Sequence, residues 1–368
     1  MKTIVLSGIN LFMGGTLKVM QDCIEALSAY SHAHNYQIVA LVYDEQQYDK
    51  YDNVRYISFP KARKSYFHRL YYEYIGFRKL SKQLRPYAWL SLHDTTPNVT
   101  AERRAVYCHN PFPFFHTDLT HVLLQPNIGL LAWLTGPFIY RTNIKKNNYV
   151  IVQQEWIRDT FRKMFKVNNI IVALPMEAPV IDRSAGKPEK PQGEKKIFFY
   201  PAGPIINKNF EIACQASALL DKEGIDNYEI VITTNGQENR YTQWLYKKYH
   251  MLPHLRFEGL LKREAMNRYY ESADCLLFPS KVETWGLPIS EAQIHHLPIL
   301  ISDLNYAHES VGEYEKVSFF DPCNAAQLAQ LIKDFLNGTI IYDGNQAVIH
   351  RQPFTRNWNE LFDKLFAS

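Results

Sequence analysis

Two common signatures are missing from this 368-residue sequence, and each absence excludes a class of site. The five cysteines stand far apart, and none belongs to a Cys-x-x-Cys pair, which excludes a zinc ribbon and a disulfide framework. We therefore expect reduced thiols and a cytoplasmic protein. The stretch from Gly8 to Gly14 lacks the G-x-G-x-x-G pattern of dinucleotide-binding oxidoreductases, which disfavours that activity.

Long uninterrupted apolar runs are missing as well. The first apolar run ends at Ser7 and is too short for the hydrophobic region of a signal peptide. Residues 127–140 are nearly free of charge, but Gly129, Gly136 and Pro137 interrupt them, which disfavours a membrane-spanning helix. Apolar content of 46% and charged content of 21% are typical of a folded globular protein. A length of 368 residues suits two domains of roughly 150 to 200 residues each.

Acidic residues are scarce in the first half of the chain. Residues 1–175 contain 21 Lys and Arg against 12 Asp and Glu, so the net charge of +4 conceals a basic N-terminal half. In residues 61–85, eight basic residues accompany one acid, Glu73, and apolar residues recur at helical spacing: Phe67, Leu70, Tyr71, Tyr74, Leu80 and Leu84. The pattern is typical of a packed surface helix and also of a patch that docks on an anionic membrane surface. Since no nucleic-acid motif accompanies it, we expect no nucleic-acid partner.

Short apolar runs alternate with amphipathic stretches along the whole chain, which predicts doubly wound parallel sheets. Residues 4–7 predict a first strand, followed by a glycine turn and a helix. Further strands of a first domain are predicted at 37–42, 54–59, 88–92, 105–108, 149–152 and 170–173. A second domain is predicted from strands at 197–200, 228–233, 255–259, 275–278, 299–302 and 317–320, after a linker at 177–196 rich in Pro, Lys, Glu and Gly.

Two histidines follow predicted strands directly. His93 comes after strand 88–92 and His109 after strand 105–108. Ligands bind at the carboxyl ends of strands in open α/β sheets, which makes both histidines candidates for a site. Histidines at strand ends also serve as satisfied structural residues, so the pattern alone leaves both roles open.

Residues 275–302 predict a buried strand, a loop containing Glu283, a helix and a second buried strand. Because Pro costs no hydrogen bond in a first helical turn, we expect the helix to begin at Pro288, with Glu291 in its first turn. The two carboxylates then flank a helix N-terminus whose amides, at residues 285–287, can face an anion or a sugar. A routine crossover with a glutamate that complements the helix dipole gives the same spacing, so spacing alone leaves the function open.

The same stretch resembles the C-terminal signature of retaining GT-B glycosyltransferases, in particular glycosyltransferase family 4, the glycosyl transferases group 1, of the polysaccharide-assembly type. The matching residues are Pro279, Ser280, Glu283, Gly286, Leu287, Pro288, Glu291 and Ala292. The resemblance is specific over 257–322, moderate around 197–210 and loose in the N-terminal half. It implies two Rossmann-like doubly wound domains facing a central cleft: an acceptor-side domain 1–176, the linker 177–196, a nucleotide-sugar-binding domain 197–349, and a C-terminal helix in 350–368 that returns to the first domain.

The resemblance also implies roles for individual residues. Glu283 and His109 would be the catalytic residues beside the reacting sugar. The donor diphosphate would lie against Gly14, Gly15, Thr16, Lys208 and the amides of Trp285, Gly286 and Leu287, and the ribose and base against Glu291, Asn235, Glu258 and Gly259. Family members usually carry an Arg five residues before this Lys, whereas this sequence has Gly203, which leaves more of the phosphate charge to Lys208 and the amides.

The implied activity is a retaining transfer of a hexose from a UDP- or GDP-linked sugar to a glycan or polyprenyl-diphosphate-linked acceptor. Bacterial capsule or O-antigen-type polysaccharide synthesis, at the inner face of the plasma membrane, is the implied setting. We expect no cofactor and no metal, and the chain contains no Asp-x-Asp sequence. Two alternatives remain open: a nucleotide-sugar epimerase of the GT-B fold, and a catalytically silent nucleotide-sugar-binding partner of another enzyme.

Overall fold

The computed structural model describes residues 1–116, 119–174 and 194–366. Among these residues the chain forms two compact units. The first unit comprises Met1–Asn110 and residues 134–174 and 350–366, and the second comprises residues 111–133 and 194–349. Residues 111–133, which lie within the predicted first domain, thus group with the second unit. The predicted linker 177–196 lies outside the described residues as far as residue 193.

Fourteen strands occur in the described part of the chain, and most of them are short and consist mainly of buried residues. They are β1 (Lys2–Ser7), β2 (Tyr36–Val42), β3 (Val54–Ser58), β4 (Ala88–Ser91), β5 (Arg103–Cys108), β6 (Tyr149–Val152), β7 (Ile170–Ala173), β8 (Lys196–Tyr200), β9 (Tyr228–Ile232), β10 (Leu255–Phe257), β11 (Cys275–Phe278), β12 (Ile299–Ser302), β13 (Val317–Phe320) and β14 (Phe354–Thr355).

Thirteen α-helices accompany these strands in the described residues. They are α1 (Gly14–His34), α2 (Tyr66–Tyr71), α3 (Phe77–Leu84), α4 (Leu119–Leu124), α5 (Pro126–Leu134), α6 (Glu155–Phe165), α7 (Phe210–Lys222), α8 (Arg240–Tyr249), α9 (Arg263–Ser272), α10 (Leu287–Ile294), α11 (Asn305–Val311), α12 (Ala325–Leu336) and α13 (Trp358–Phe366).

Each unit is built on one parallel sheet. The first sheet has the order β14-β7-β6-β5-β4-β1-β2-β3, and the second has the order β10-β9-β8-β11-β12-β13. Both contain the doubly wound pattern in which the strand order reverses beside the first strand of the unit. The reversal lies between β1 and β4 in the first sheet and between β8 and β11 in the second. Ligands bind at the carboxyl ends of the strands at such a switch point.

Burial on both faces explains why the strands read as continuous apolar runs. All four residues of β11 and of β12 are buried, as parallel strands covered by helices on both sides must be. In the first unit, Leu361 and Phe362 of α13 belong to the same buried cluster as Leu27 of α1. Burying one such side chain stabilises the fold by about 1.5–3 kcal/mol. The C-terminal helix is therefore an integral part of the first unit's core.

The doubly wound architecture and every predicted strand are present, with end shifts of one or two residues. Two helices begin at other residues than predicted. Helix α10 begins at Leu287 rather than Pro288, so Pro288 is its second residue and Glu291 lies beyond its first turn. The expected terminal helix at 354–366 begins only at Trp358, because Phe354 and Thr355 pair with β7 as strand β14.

Candidate functional site

The loops after β8 and β11 meet at the switch point of the second sheet. The two strands are neighbours, with Cys275 paired to Phe198 and Leu276 to Phe199. Strand β8 leads into a short 3₁₀ turn at Ile206–Lys208, and β11 leads into the loop 279–286. Lys208 and Glu283, predicted from different parts of the chain, therefore lie at one edge of the sheet, and their side chains form an ion pair.

The ion pair between Lys208 and Glu283 is mostly shielded from water. The Lys208 side chain is 19% exposed and the Glu283 side chain 10% exposed. In such surroundings opposite charges attract more strongly than on an open surface. The ammonium group lies where it can neutralise either this carboxylate or an incoming anion, so the pair places a cation and a carboxylate side by side.

Hydrogen bonds between the two loops fix the geometry of this ion pair. The side-chain amide of Asn207 donates to the carbonyl of Val282 at 3.2 Å, and the backbone carbonyl of Asn207 accepts from the backbone N–H of Lys281 at 2.8 Å. Asn209 donates to the carbonyl of Pro279 at 3.0 Å. Because these bonds flank both charged residues, the loops hold the ion pair in place without a ligand. Asn207 and Asn209 are functional residues that sequence reasoning missed, although both lie beside Lys208.

Ser280 is held from below by two tyrosines. The hydroxyl of Tyr200 lies 3.1 Å from Ser280 Oγ, and the hydroxyl of Tyr306 donates to the Ser280 carbonyl at 2.8 Å. The Tyr200 hydroxyl also donates to the carbonyl of Lys208. Burial raises the pKa of Tyr200 well above its ordinary value, so this phenol stays protonated as a donor. The Pro-Ser of the sequence motif therefore begins loop 279–286, where two tyrosine hydroxyls hold Ser280 in place.

Gly286 allows the turn that starts helix α10. Its φ is +83°, and a Cβ built there would lie 3.0 Å from Ile289 Cδ1 and 3.2 Å from Phe278 Cζ. Both the left-handed conformation and the close packing favour glycine at this position. The carbonyl of the preceding Trp285 accepts a hydrogen bond from Ser310. The backbone at residues 285–287 is therefore firmly placed at the beginning of an eight-residue helix.

Glu291 is held by side chains from the neighbouring helix α9. The hydroxyl of Tyr270 donates to one carboxylate oxygen at 2.6 Å, and the exposed guanidinium of Arg263 pairs with the other. Burial, and then the nearby Glu291 charge, raises the pKa of Tyr270. One oxygen therefore has a buried tyrosine donor, and the other is paired with a solvent-exposed guanidinium. A ligand hydroxyl would reach the second oxygen by displacing Arg263 or by sharing that oxygen with it.

The predicted base-side residues come together around the ends of β9 and β10. A Cβ built on Gly259 would lie 3.1 Å from the Asn235 amide nitrogen, so these two residues are in close contact. Glu258 pairs with Arg256 at 2.6 Å, which directs its carboxylate toward that guanidinium. Glu238 was not predicted; its carboxylate accepts from the backbone N–H of Asn235 at 2.9 Å and from the Thr234 hydroxyl at 2.7 Å. Burial opposes ionisation of Glu238, but these donors outweigh it and lower its pKa.

In the first unit, Gly14, Gly15 and Thr16 form the exposed first turn of α1 after strand β1. Gly14 has a φ of +61°, which favours glycine, yet a Cβ built there would meet no neighbour within 4 Å. The Thr16 hydroxyl donates to the carbonyl of Met13 at 3.0 Å. The turn thus presents backbone amides at the start of a long helix, where an anion is favoured.

The two candidate histidines both have buried side chains, but they lie beside different groups. His93 is fully buried, with its ring nitrogens hydrogen-bonded to hydroxyls: Ser7 at 3.1 Å, Ser91 at 3.0 Å and Thr95 at 2.8 Å. Burial lowers the pKa of His93 to about 4, so it is neutral at pH 7. His93 is therefore a structural residue. The His109 side chain is 6% exposed, and its Nε2 lies 3.7 Å from a carboxylate oxygen of Asp94.

Asp94 is a further residue that sequence reasoning missed, although it follows His93 directly in the sequence. Its carboxylate accepts from the backbone N–H groups of His109 at 2.7 Å and Asn110 at 3.0 Å, and from the Tyr140 hydroxyl at 2.9 Å. Its φ of +70° is unusual for a residue other than glycine. Asp94 therefore fixes the end of β5 and the backbone that carries His109.

The basic segment 61–85 folds as helices α2 and α3 joined by a π-helical turn at Tyr72–Gly76. Glu73 in this turn is fully buried and pairs with Arg69 at 2.6 Å. Burial alone would raise the pKa of Glu73, but the neighbouring charges and the hydrogen bonds from Arg69 and Thr95 together outweigh it and lower the pKa. The segment also leaves large apolar side chains exposed to solvent, with Phe67 83% exposed; the others are Tyr66, Leu70, Tyr71 and Ile75. No described helix is both long and apolar enough to cross a bilayer.

Comparisons with known proteins agree with this geometry. Residues 181–347 match the family model described as glycosyl transferases group 1. A search of curated proteins found no match.

Among solved structures, the chain is similar to WaaG, a glycosyltransferase involved in lipopolysaccharide biosynthesis (14% identity, TM-score 0.63, covering 91% of this chain and 90% of that one). It is similar to the lipopolysaccharide outer core galactosyltransferase WaaB (12% identity, TM-score 0.62, covering 93% and 92%). It is also similar to an α,α-trehalose-phosphate synthase (UDP-forming) from Burkholderia vietnamiensis (13% identity, TM-score 0.60, covering 91% and 92%). The chain therefore has the GT-B fold of these proteins, and its residues 181–347 match the glycosyl transferases group 1 family.

Proposed function

We propose that the protein is a retaining glycosyltransferase that moves a hexose from a UDP- or GDP-linked sugar to a glycan or polyprenyl-diphosphate-linked acceptor. The observation that carries the proposal is the shielded ion pair of Lys208 and Glu283 beside the start of α10. Bacterial polysaccharide assembly of the capsule or O-antigen type is the proposed setting. Two of the similar structures, WaaG and WaaB, are described as lipopolysaccharide glycosyltransferases, which supports that setting.

The second unit would bind the nucleotide and the departing diphosphate. Lys208 and the backbone amides of residues 285–287 would face the diphosphate, since a cation and a helix N-terminus both stabilise negative charge. Glu291 would accept from the ribose hydroxyls with the oxygen that pairs with Arg263 in this structure, while Tyr270 holds the other oxygen. The turn at Asn235 and Gly259, fixed by Glu238, would contact the base, and Glu258 would lie beside it.

Glu283 and His109 would act at the sugar. The Glu283 carboxylate would accept hydroxyl hydrogens of the hexose and stabilise positive charge on its anomeric carbon. His109, with its backbone fixed by Asp94, would contact the sugar, and Gly14, Gly15 and Thr16 would offer further amides to the diphosphate.

In the transfer step, the bond between the anomeric carbon and the diphosphate oxygen breaks. The acceptor oxygen forms its bond on the same face of the sugar, and the acceptor proton passes to a phosphate oxygen of the leaving group. We propose that no metal takes part, because Lys208 and the helix amides supply the positive charge that the leaving group needs. Turnover unchanged by EDTA would agree with this, and loss of turnover restored by a divalent cation would contradict it.

The proposed activity is tested by incubating the protein with UDP- and GDP-hexoses, with and without candidate acceptors. Acceptor-dependent release of UDP or GDP, matched by a glycosylated product of retained anomeric configuration, is the expected result. Isomerisation of the donor sugar without an acceptor would instead establish the epimerase. Nucleotide-sugar binding that is the same in the wild type and in Glu283→Gln, with no turnover on any acceptor, would favour the catalytically silent binding partner.

We further propose that the segment 61–85 docks on an anionic membrane surface. Its exposed aromatic side chains lie among eight basic residues, the composition that interfacial segments use against anionic lipid. Its one acid, Glu73, is buried and paired, so it does not oppose this charge at the surface.

Sedimentation with vesicles that contain phosphatidylglycerol tests the docking surface. We expect binding that weakens as salt is raised. It should also weaken when Lys61, Arg63 and Lys64 are changed to Gln, but not when Lys247 and Lys248 on α8 are changed. Equal binding to neutral and anionic vesicles would refute the proposal.

A further inference from the structure

Gln125 lies far from every sequence motif, between helices α4 and α5, yet it contacts the turn that carries Lys208. Its side chain is buried, and both ends of its amide are used. The amide nitrogen donates to the carbonyl of Pro204 at 2.9 Å, and the amide oxygen accepts from the backbone N–H of Ile206 at 2.8 Å. A single side chain thus satisfies a buried acceptor and a buried donor of the same turn.

The turn held by Gln125 sets the position of Lys208. The backbone N–H of Ile205 donates to Gly203 at 2.8 Å, and the N–H of Lys208 donates to Ile205 at 2.9 Å. The Lys208 carbonyl accepts from the Tyr200 hydroxyl. Gln125 therefore fixes the beginning of the 3₁₀ turn and Tyr200 fixes its end, and the lysine side chain emerges between these two anchors.

Gly203, at the start of this turn, makes the hydrogen bonds to the turn's backbone important. As a glycine it adds no side-chain contact, and a Cβ built there would meet no atom within 4 Å. The turn is therefore held by the burial of Ile206, which is 1% exposed, and by hydrogen bonds to its backbone. Leaving a buried donor or acceptor without its partner is costly, so a turn that lost Gln125 would shift to find new partners.

We propose that Gln125 is a positioning residue for donor binding: it holds the turn 204–206 so that Lys208 meets the donor diphosphate, an inference that rests on the donor site proposed above. The ligand class is a nucleoside diphosphate or its sugar ester. Gln125 itself need not touch the ligand, because both of its amide groups are engaged by the turn.

Asn239 supplies a matched control. Its amide nitrogen donates to the same Pro204 carbonyl at 2.6 Å, while its oxygen accepts from the backbone N–H of Thr242 at 3.0 Å and caps α8. Asn239→Asp keeps the helix cap and removes one donor to Pro204. Gln125→Glu likewise keeps the acceptor for Ile206 and removes one donor to Pro204. Gln125→Met has a similar length and removes both contacts of the amide.

The test measures donor KM, kcat and the Kd for UDP and GDP in these three variants, together with the melting temperature. We expect Gln125→Met to raise donor KM and nucleotide Kd about tenfold. Gln125→Glu and Asn239→Asp should change them by no more than about threefold, because the Ile206 N–H keeps its partner. Acceptor KM should stay at the wild-type value in all three.

A lower melting temperature in Gln125→Met with unchanged donor KM and Kd would overturn the inference, since Gln125 would then serve stability alone. Equal effects in all three variants would also overturn it, because the contact with Ile206 would have no separate role. Lys208→Gln, measured alongside, distinguishes the two levels of the argument. If Lys208→Gln weakens nucleotide binding and Gln125→Met does not, only the positioning role fails; if Lys208→Gln has no effect, the proposed donor site itself fails.

Discussion

The two sheets share one strand order but prepare their switch points very differently. At the second sheet, the loops after β8 and β11 are joined by side-chain and backbone hydrogen bonds around a shielded ion pair. At the first sheet, the turn after β1 exposes two glycines and a threonine, and the buried polar side chains gather around His93 instead. The same architecture can thus carry a preorganised charged site at one switch point and an open backbone surface at the other.

The difference indicates where each kind of specificity resides. A preorganised pair of charges can stabilise a developing charge without reorganising at the moment of reaction. An open glycine turn offers only backbone amides, which bind an anion without reading its identity. We therefore expect substitutions at the second switch point to affect the transfer step most, and substitutions at the first to affect it less.

The largest expected effect is on turnover in Glu283→Gln. The substitution keeps the size of the side chain but removes the charge that would support the anomeric carbon, so kcat should fall about 10²–10³-fold. Glu211→Gln is the control, because Glu211 pairs with Lys281 of the same loop at 3.3 Å. A loss in Glu211→Gln as large as that in Glu283→Gln would show that the loop, and not this carboxylate, matters.

The next largest effect is on the pH dependence of stability in the first unit. The pKa of His93 is lowered by burial from 6.5 to about 4, so the unfolded chain binds more protons than the folded one between these values. Its contribution to stability is complete above pH 6.5 and is lost as the pH falls toward 4, by about 3 kcal/mol. Glu73 acts lower, since its own contribution is lost only below its ordinary pKa of 4.5.

Urea unfolding of the wild type and of His93→Gln, between pH 7 and pH 4.5, measures this contribution. The wild type should lose more stability than the variant over that range, because glutamine does not titrate. Parallel pH profiles would show that His93 is not held neutral in the folded protein.

Substitutions of two glycines compare the packing at the two switch points, with smaller expected effects on stability. Gly286→Ala meets both a positive φ and close contact with Ile289 and Phe278, so it should destabilise the second unit by about 2–3 kcal/mol. Gly14→Ala meets only the positive φ and should cost the first unit about 1 kcal/mol. Urea midpoints of the two variants provide the measurement. Equal shifts would mean that the second switch point is no more tightly packed than the first.

The smallest expected effect concerns Tyr270. Tyr270→Phe removes the buried donor to Glu291, worth about 1 kcal/mol, and should weaken nucleoside diphosphate binding roughly fivefold. Tyr314→Phe is the control, since Tyr314 donates to the Leu297 carbonyl at 2.8 Å, away from Glu291. Isothermal titration calorimetry compares the two. No difference between them would remove Glu291 from the proposed ribose contact.

Much of the fold could be predicted because its strands are short apolar runs bounded by turn residues, and the unit β11–α10–β12 was predicted nearly to the residue. The sequence also placed Lys208 and Glu283 after two predicted strands, β8 and β11, which are neighbours in the second sheet. What could not be predicted depends on contacts distant in sequence or on unusual backbone. Nothing near Gln125 indicates that it holds Pro204, 79 residues away. The left-handed conformation of Asp94 and the complete burial of Glu73 likewise arise only once the first sheet is assembled.

The central claim is that Lys208, in its ion pair with Glu283, belongs to the binding site of a nucleoside diphosphate. Calorimetric titration of UDP and GDP into the wild type, Lys208→Gln and Lys281→Gln tests it most directly. Lys281 is a matched control, because it is also partly buried and paired with a glutamate, Glu211. We predict that the preferred nucleotide binds Lys281→Gln as it binds the wild type and binds Lys208→Gln at least about tenfold more weakly. Equal affinity for all three proteins would contradict the claim.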